Sequence, residues 1–190
     1  GWNWWDGEKS DPQTSAYVIY GLIEAGESGY AVSESVLARG IKFLEENVPN
    51  LKRNDAAWQY NRTAFMLYVL ARAGELRPSQ VNFIYEHKMS LSLYGKAYLA
   101  QAMYMLDKDD ERTLSLLSDL ESAAVLSAAG AHWEESAHDY WNWNTDTRTT
   151  AIVLNAFVQM DAPNPVTAQA VRWLMAHRES GHWYTTQETA

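Results

Sequence analysis

Apolar runs and polar turns alternate along the whole chain, and the runs are of two kinds. One kind is apolar at almost every position: AYVIYGLI from Ala16, AFMLYVLA from Ala64, AYLAQAMYML from Ala97 and AIVLNAFV from Ala151. A helix that is apolar on all faces has to be buried on all faces. The other kind carries a single apolar stripe. It is seen in VLARGIKFLEENV, with Val36, Leu37, Ile41 and Leu44, then in LSLLSDLES and AVRWLMAHR. Such helices set one face on a core and one in water. No stretch has the period-two, β-branched alternation of strands.

Capping and breaking residues mark the element ends. The first helix is expected to be capped by Ser10 or Asp11, with Pro12 in its first turn, and to end near Gly26. Further helices are predicted over about 33–47 and 55–73, after Pro78, over 91–106 and from near Asp109. A long aromatic and acidic loop then fills about 127–144. A seventh helix covers about 146–160, and an eighth is capped by Asn164, with Pro165 in its first turn. A ninth begins near Thr186.

Because buried and half-exposed helices alternate, successive hairpins can stack side by side. The buried members then form an inner layer and the striped ones an outer layer. The predicted fold is all-α: an α/α toroid of the terpenoid cyclase/prenyltransferase-like kind, built of helix hairpins and here an incomplete ring, with residues 1–190 as one domain. The inner runs start at Ala16, Ala64, Ala97, Ala151 and Ala190, which is too uneven for a regular solenoid array.

Tryptophan gathers in the polar turns before the inner helices: GWNWWDG, AAWQYNR, HWEESAHDYWNWNTD and GHWYTTQ. If those helices are parallel, the turns share one rim. Trp2, Trp4, Trp5, Trp133, Trp141, Trp143, Trp183, Tyr184 and Gln187 are the candidate rim and interface residues. An indole packed over a helix end explains such residues as well as a surface for a partner does.

Charge narrows the partners. The net charge of −9 argues against nucleic acid and anionic membrane, both of which want a basic face. No run approaches the roughly 18 apolar residues of a membrane span. The absence of cysteine excludes disulfides, thiolate zinc sites and a cysteine nucleophile in these residues. The first residue is not Met, which suggests a piece of a longer protein.

The candidate chemistry is sparse. DKDD at Asp107–Asp110 matches the Asp-x-Asp-Asp pattern by which some terpene cyclases protonate an alkene. It also stands where acidic residues cap a helix start. HWEESAHDY offers His132, Glu134, Glu135, His138 and Asp139, but two histidines six apart are not a helical metal pair. Asp6, Glu8, Asp11, Glu134, Asp139 and Asp146 beside the tryptophans would suit a glycosidase cleft. The enzymatic alternative is therefore a carbohydrate-active or terpene-cyclase-like toroid.

A longer pattern outweighs these. The stretch from HWEESAHDYWNWNTDTRTTAIVLNAF through VRWLMAHR and GHWYTTQETA resembles the closing part of the thioester-containing domain of the alpha-2-macroglobulin and complement family. The opening stretch, a Trp-rich turn with Ser-Asp-Pro before Thr-x-Ala-Tyr-Val, resembles bacterial members of that family. The resemblance implies a non-enzymatic protease trap. Its members carry a Cys–Gln thioester that acylates the target once a bait segment elsewhere is cut. No cysteine is present here, so the thioester box would either lie outside these residues or be missing from the parent protein. The stretch DGEKSDPQT also lacks the histidine that steers complement members toward hydroxyls, which implies direct attack by amines. The resemblance thus implies no catalytic residue, cofactor or metal here. Target proteases would be met through the full-length protein, and other domains of the same chain would be neighbours. A periplasmic, envelope-associated or secreted location follows from the resemblance alone. An uncovered hairpin edge is also expected to favour self-association.

Overall fold

The computed structural model describes residues 1–5, 7–75, 77–160 and 164–189, with Gln187 described by its backbone alone. Asp6 and the inner run expected at Ala190 therefore lie outside the described residues. The helices are α1 (Pro12–Glu27), α2 (Glu34–Asn47), α3 (Ala57–Arg72), α4 (Pro78–Glu86), α5 (Leu93–Leu106), α6 (Glu111–Ser122), α7 (Asp146–Gln159), α8 (Thr167–Ala176) and the short α9 (Thr186–Thr189).

Local chemistry sets most of the ends. Asp11 caps α1, its carboxylate accepting from Thr14 N at 2.7 Å, and Pro12 opens the helix. Asp110 accepts from Arg112 N and caps α6. Thr145 Oγ1 accepts from Arg148 N and caps α7. At α8 the turn starts where expected, with Val166 N donating to Asn164 Oδ1 at 2.9 Å, but regular helix begins only at Thr167.

Inner helices α1, α3, α5 and α7 stand side by side in that order, and α2, α4, α6 and α8 each lie against the inner helix that precedes them. The protein is therefore all-α in class and two-layered. Burial follows position in the row. In the central helices α3 and α5, buried residues run from Tyr60 to Leu70 and from Tyr94 to Met103, with only Arg62 and Lys96 less covered. The flanking helix α1 is less enclosed than its apolar sequence predicts, since Tyr17, Val18 and Tyr20 are half-buried and Gly21 is exposed. A helix at the end of a row has a neighbour on one side only.

One expectation is overturned. The chain does contain strands: β1 (Val125–Ser127) and β2 (Gly130–His132) pair antiparallel inside the stretch that begins the predicted loop. Three-residue strands are too short to carry an alternating pattern, so sequence periodicity passes over them. β2 is fully buried and packs on α8. Gly130 makes that contact possible. It has φ +136°, and a Cβ there would overlap the Gln169 carbonyl oxygen.

Candidate functional site

Three of the four tryptophan turns meet at one end of the inner layer. Trp4 and Trp143 meet edge to face at 5.7 Å, and Trp58, the second residue of α3, stacks on Trp141 at 5.4 Å. Trp4, Trp5, Tyr140, Trp141 and Trp143 are exposed. The first turn is a closed loop, because Asp11 N donates to Trp2 O and Trp2 N donates to Ser15 Oγ, both at 2.8 Å. Trp2 itself is half-buried over α2. Gly40 leaves the space for it, since a Cβ there would strike the indole.

Beneath the aromatic surface lies a buried polar network that ties the loop to three inner helices. Asp139 Oδ2 accepts from Tyr94 OH at 2.5 Å, from Asn142 Nδ2 at 2.8 Å and from Asn61 Nδ2 at 3.1 Å. Asn61 Oδ1 in turn accepts from Ser92 N at the start of α5. Arg62 donates to Asn142 Oδ1 and to Trp141 O, and Arg148 donates to Asn142 O. Arg148 also donates to Tyr17 OH on α1, so the first and last inner helices touch at this rim. The loop reaches α7 through a short 3-10 turn, Tyr140–Asn142, followed by Trp143 in the left-handed region (φ 49°, ψ 40°). For a bulky residue that conformation costs about 1–2 kcal/mol. It brings Asn144 back to donate to Thr149 Oγ1 at 2.8 Å, directly ahead of the helix cap.

Glu135, one of the candidate residues of HWEESAHDY, is a second anchor. Its carboxylate accepts from Leu93 N and Tyr94 N, both at 3.1 Å, where it meets the positive end of α5, and from Thr149 Oγ1. Burial nevertheless pushes its pKa above the usual glutamate value, because these donors offset desolvation only in part. The folded state therefore holds this proton more tightly than the unfolded chain. Stability is expected to fall as pH rises from about 4 through the raised pKa, then to level off. Thermal melts across that window should show this slope in the native chain and lack it in Glu135→Gln.

The remaining candidates fall elsewhere. Trp133, expected on the rim, is instead completely buried, its Nε1 donating to Leu120 O at 2.6 Å. Trp183 packs on the outer layer and donates to Leu174 O at 3.0 Å, while Tyr184 is 94 % exposed. The side chain of Gln187 lies outside the described residues. Thr145 Oγ1 donates to Glu188 Oε1 at 2.6 Å and ties α9 to the same rim. His132 stacks on Trp173 at 4.5 Å, and Trp173 stacks on His177 at 3.7 Å. His132 and His177, together with Glu134, His138 and Asp146, line a shallow cavity of about 640 Å³. Among the described residues, no three histidine or acidic side chains are grouped to hold a metal ion.

The DKDD acids act locally. Asp110 caps α6 and is held below the usual carboxylate range by its hydrogen bond from Arg112, while Asp107 Oδ1 accepts from Asp109 N. Asp110 thus serves as a helix cap and Asp107 closes the turn before it, and neither of them nor Asp109 lines the cavity beside His132 and His177.

No family model matches the chain. Curated relatives do. The chain is 28 % identical over 142 residues to an alpha-2-macroglobulin of Thermotoga maritima, covering 71 % of this chain and 8 % of that protein. It is 24 % identical over 189 residues to an alpha-2-macroglobulin homolog of Nostoc sp., covering 96 % and 10 %. The chain's relatives are alpha-2-macroglobulins. Solved structures agree on the fold. Native alpha-2-macroglobulin of Escherichia coli, from domain MG7 to its C-terminus, matches all of this chain and 30 % of its own, with TM-score 0.77 and 19 % identity. The trypsin-activated Escherichia coli protein matches with TM-score 0.75 at 20 % identity, over 100 % of this chain and 13 % of that one. A Salmonella alpha-2-macroglobulin reacted with methylamine matches with TM-score 0.75 at 19 % identity, over 98 % and 12 %. The chain thus spans about a tenth of the length of its curated alpha-2-macroglobulin relatives.

Proposed function

We propose that this chain is a segment of the helical domain of a bacterial alpha-2-macroglobulin-like endopeptidase inhibitor, and that the two helix layers are an arc of its ring. The observation that carries the reading is the fold match to alpha-2-macroglobulin along the entire chain. In this reading the segment is not an enzyme. The full-length protein traps proteases, and covalent capture is the work of a Cys–Gln thioester carried outside these residues. Trypsin activation of a protein with the same fold supports proteases as the partners.

The segment's own part is shielding. A thioester persists only while water and amines are kept away from it. The exposed indoles of Trp4, Trp5, Trp141 and Trp143, the last two in the loop that the Asp139 network anchors, supply apolar surface for a neighbouring domain to seal against. The protein would work in the periplasm, at the cell envelope or after secretion, where foreign proteases are met.

Methylamine tests the covalent step. Attack by the amine on the thioester carbonyl forms an amide and releases the cysteine as a thiol. The full-length protein is expected to gain one methylamine by mass spectrometry and one titratable thiol. An unchanged mass would eliminate covalent capture.

A further inference from the structure

A cavity of about 230 Å³ lies between the loop that joins α2 to α3 and the outer helix α4. Its walls are apolar, with Val48 and Leu51 on the loop side and Phe83 and Ile84 on α4. Asn50 and Ser79, both exposed, stand at its mouth. Thr63 of α3, only 2 % exposed, supplies the polar group of its interior. The walls are held in place from behind. Tyr60 OH donates to Lys52 O at 2.8 Å, and Lys52 N donates to Asp55 Oδ2 at 2.7 Å, which fixes the loop. Arg77, at the start of α4, pairs with Glu45 of α2 at 3.3 Å. The space is therefore preformed.

Thr63 is the anomaly. The hydroxyls of the buried Thr14, Thr149 and Thr150 each make a hydrogen bond, whereas Thr63 Oγ1 has no partner among the described residues. Thr113 Oγ1 is also unpaired, but Thr113 does not line this cavity. A buried hydroxyl without a partner is costly, and a guest that bonds to it recovers that cost. None of the described lining residues carries a charge, so an ion entering here would lose its hydration uncompensated. Any guest is therefore neutral, apolar over most of its surface, and tipped with one hydrogen-bonding group. An apolar cavity of about 150 Å³ is enough for benzene, so this one holds a substituted ring. The geometry points to a ligand site for a small phenol, its ring against Phe83 and Leu51 and its hydroxyl on Thr63 Oγ1. The phenol O–H gives that oxygen a donor, and the Phe83 ring offers the aromatic contact. The site stands apart from the role proposed for the rim.

An NMR titration of the isotope-labelled 190-residue chain tests this, with p-cresol as the probe and toluene, the same ring without the hydroxyl, as its control. p-Cresol is expected to shift the backbone amides of Leu51, Thr63, Phe83 and Ile84 saturably, with a dissociation constant of about 1 mM or lower. Thr63→Val keeps the shape of the side chain and removes the hydroxyl. Because it deletes an unpaired buried group, it should melt at or above the native temperature. Its affinity for p-cresol should drop about tenfold while its affinity for toluene holds, the size expected for one hydrogen bond. Three results would each overturn the site. They are no saturable shift of these amides with p-cresol up to about 10 mM, an equal change for both ligands in Thr63→Val, and a Thr63→Val chain that melts below the native one.

Discussion

Asp139→Ala is expected to remove about 3–5 kcal/mol of folding stability, a large share of what a domain of this size possesses. The carboxylate is buried and accepts from three side chains, Tyr94, Asn142 and Asn61, which arrive from α5, the loop and α3. Without it those donors stay buried and unpaired. Each such loss costs about 1–3 kcal/mol, offset where the site relaxes or admits water. The same carboxylate helps to balance the buried Arg148. Burial works against the charge of that guanidinium, but the facing tyrosines and Asp139 outweigh burial and hold its pKa above the usual value. Asp139→Asn keeps an acceptor oxygen and should lose less. Urea denaturation of the three chains gives the comparison. If Asp139→Ala unfolds at the native midpoint with an unchanged slope, the network is not what holds the loop.

Trp133→Ala is the second large effect, with an expected loss of about 3–5 kcal/mol from the cavity it leaves. The indole is fully buried, packs near Phe157 at 6.2 Å, and bonds to the Leu120 carbonyl near the end of α6. Truncation removes that bond and leaves the carbonyl only the longer one from Ala123 N, at 3.2 Å. Trp141→Ala is the matched control. That indole is 66 % exposed, so its loss should stay within about 0.5 kcal/mol despite its place in the same loop. Equal destabilisation by the two substitutions would contradict the burial described here.

These two residues mark the boundary of what was legible in advance. Trp133 and Trp141 sit eight positions apart in one aromatic, acidic stretch, and nothing in their local pattern separates them. What separates them is distant in sequence. Leu120 O and Phe157 enclose Trp133, whereas Trp58 stacks on one face of Trp141 and leaves the other in water. The network around Asp139 is equally non-local. Its members Asn61, Tyr94 and Asn142 are drawn from three segments, and each reads alone as an ordinary polar residue of a helix or a loop. The position of Arg148 was hidden for the same reason, since its acceptors Asn142 O, Asn144 Oδ1 and Tyr17 OH come from the loop and from α1.

The sequence by itself determined the helices, their alternation between buried and striped, and several element ends, including the Asp11 cap and the acidic turn at 107–110 that opens α6. Those features depend on residues three or four apart, a range over which side-chain pattern and backbone hydrogen bonding are directly coupled. Only the tertiary structure decided which tryptophans face water, that 125–132 closes as a hairpin, and that Asp139 and Arg148 are gathered at one rim. Those outcomes depend on contacts between segments far apart along the chain, which no short window of residues contains.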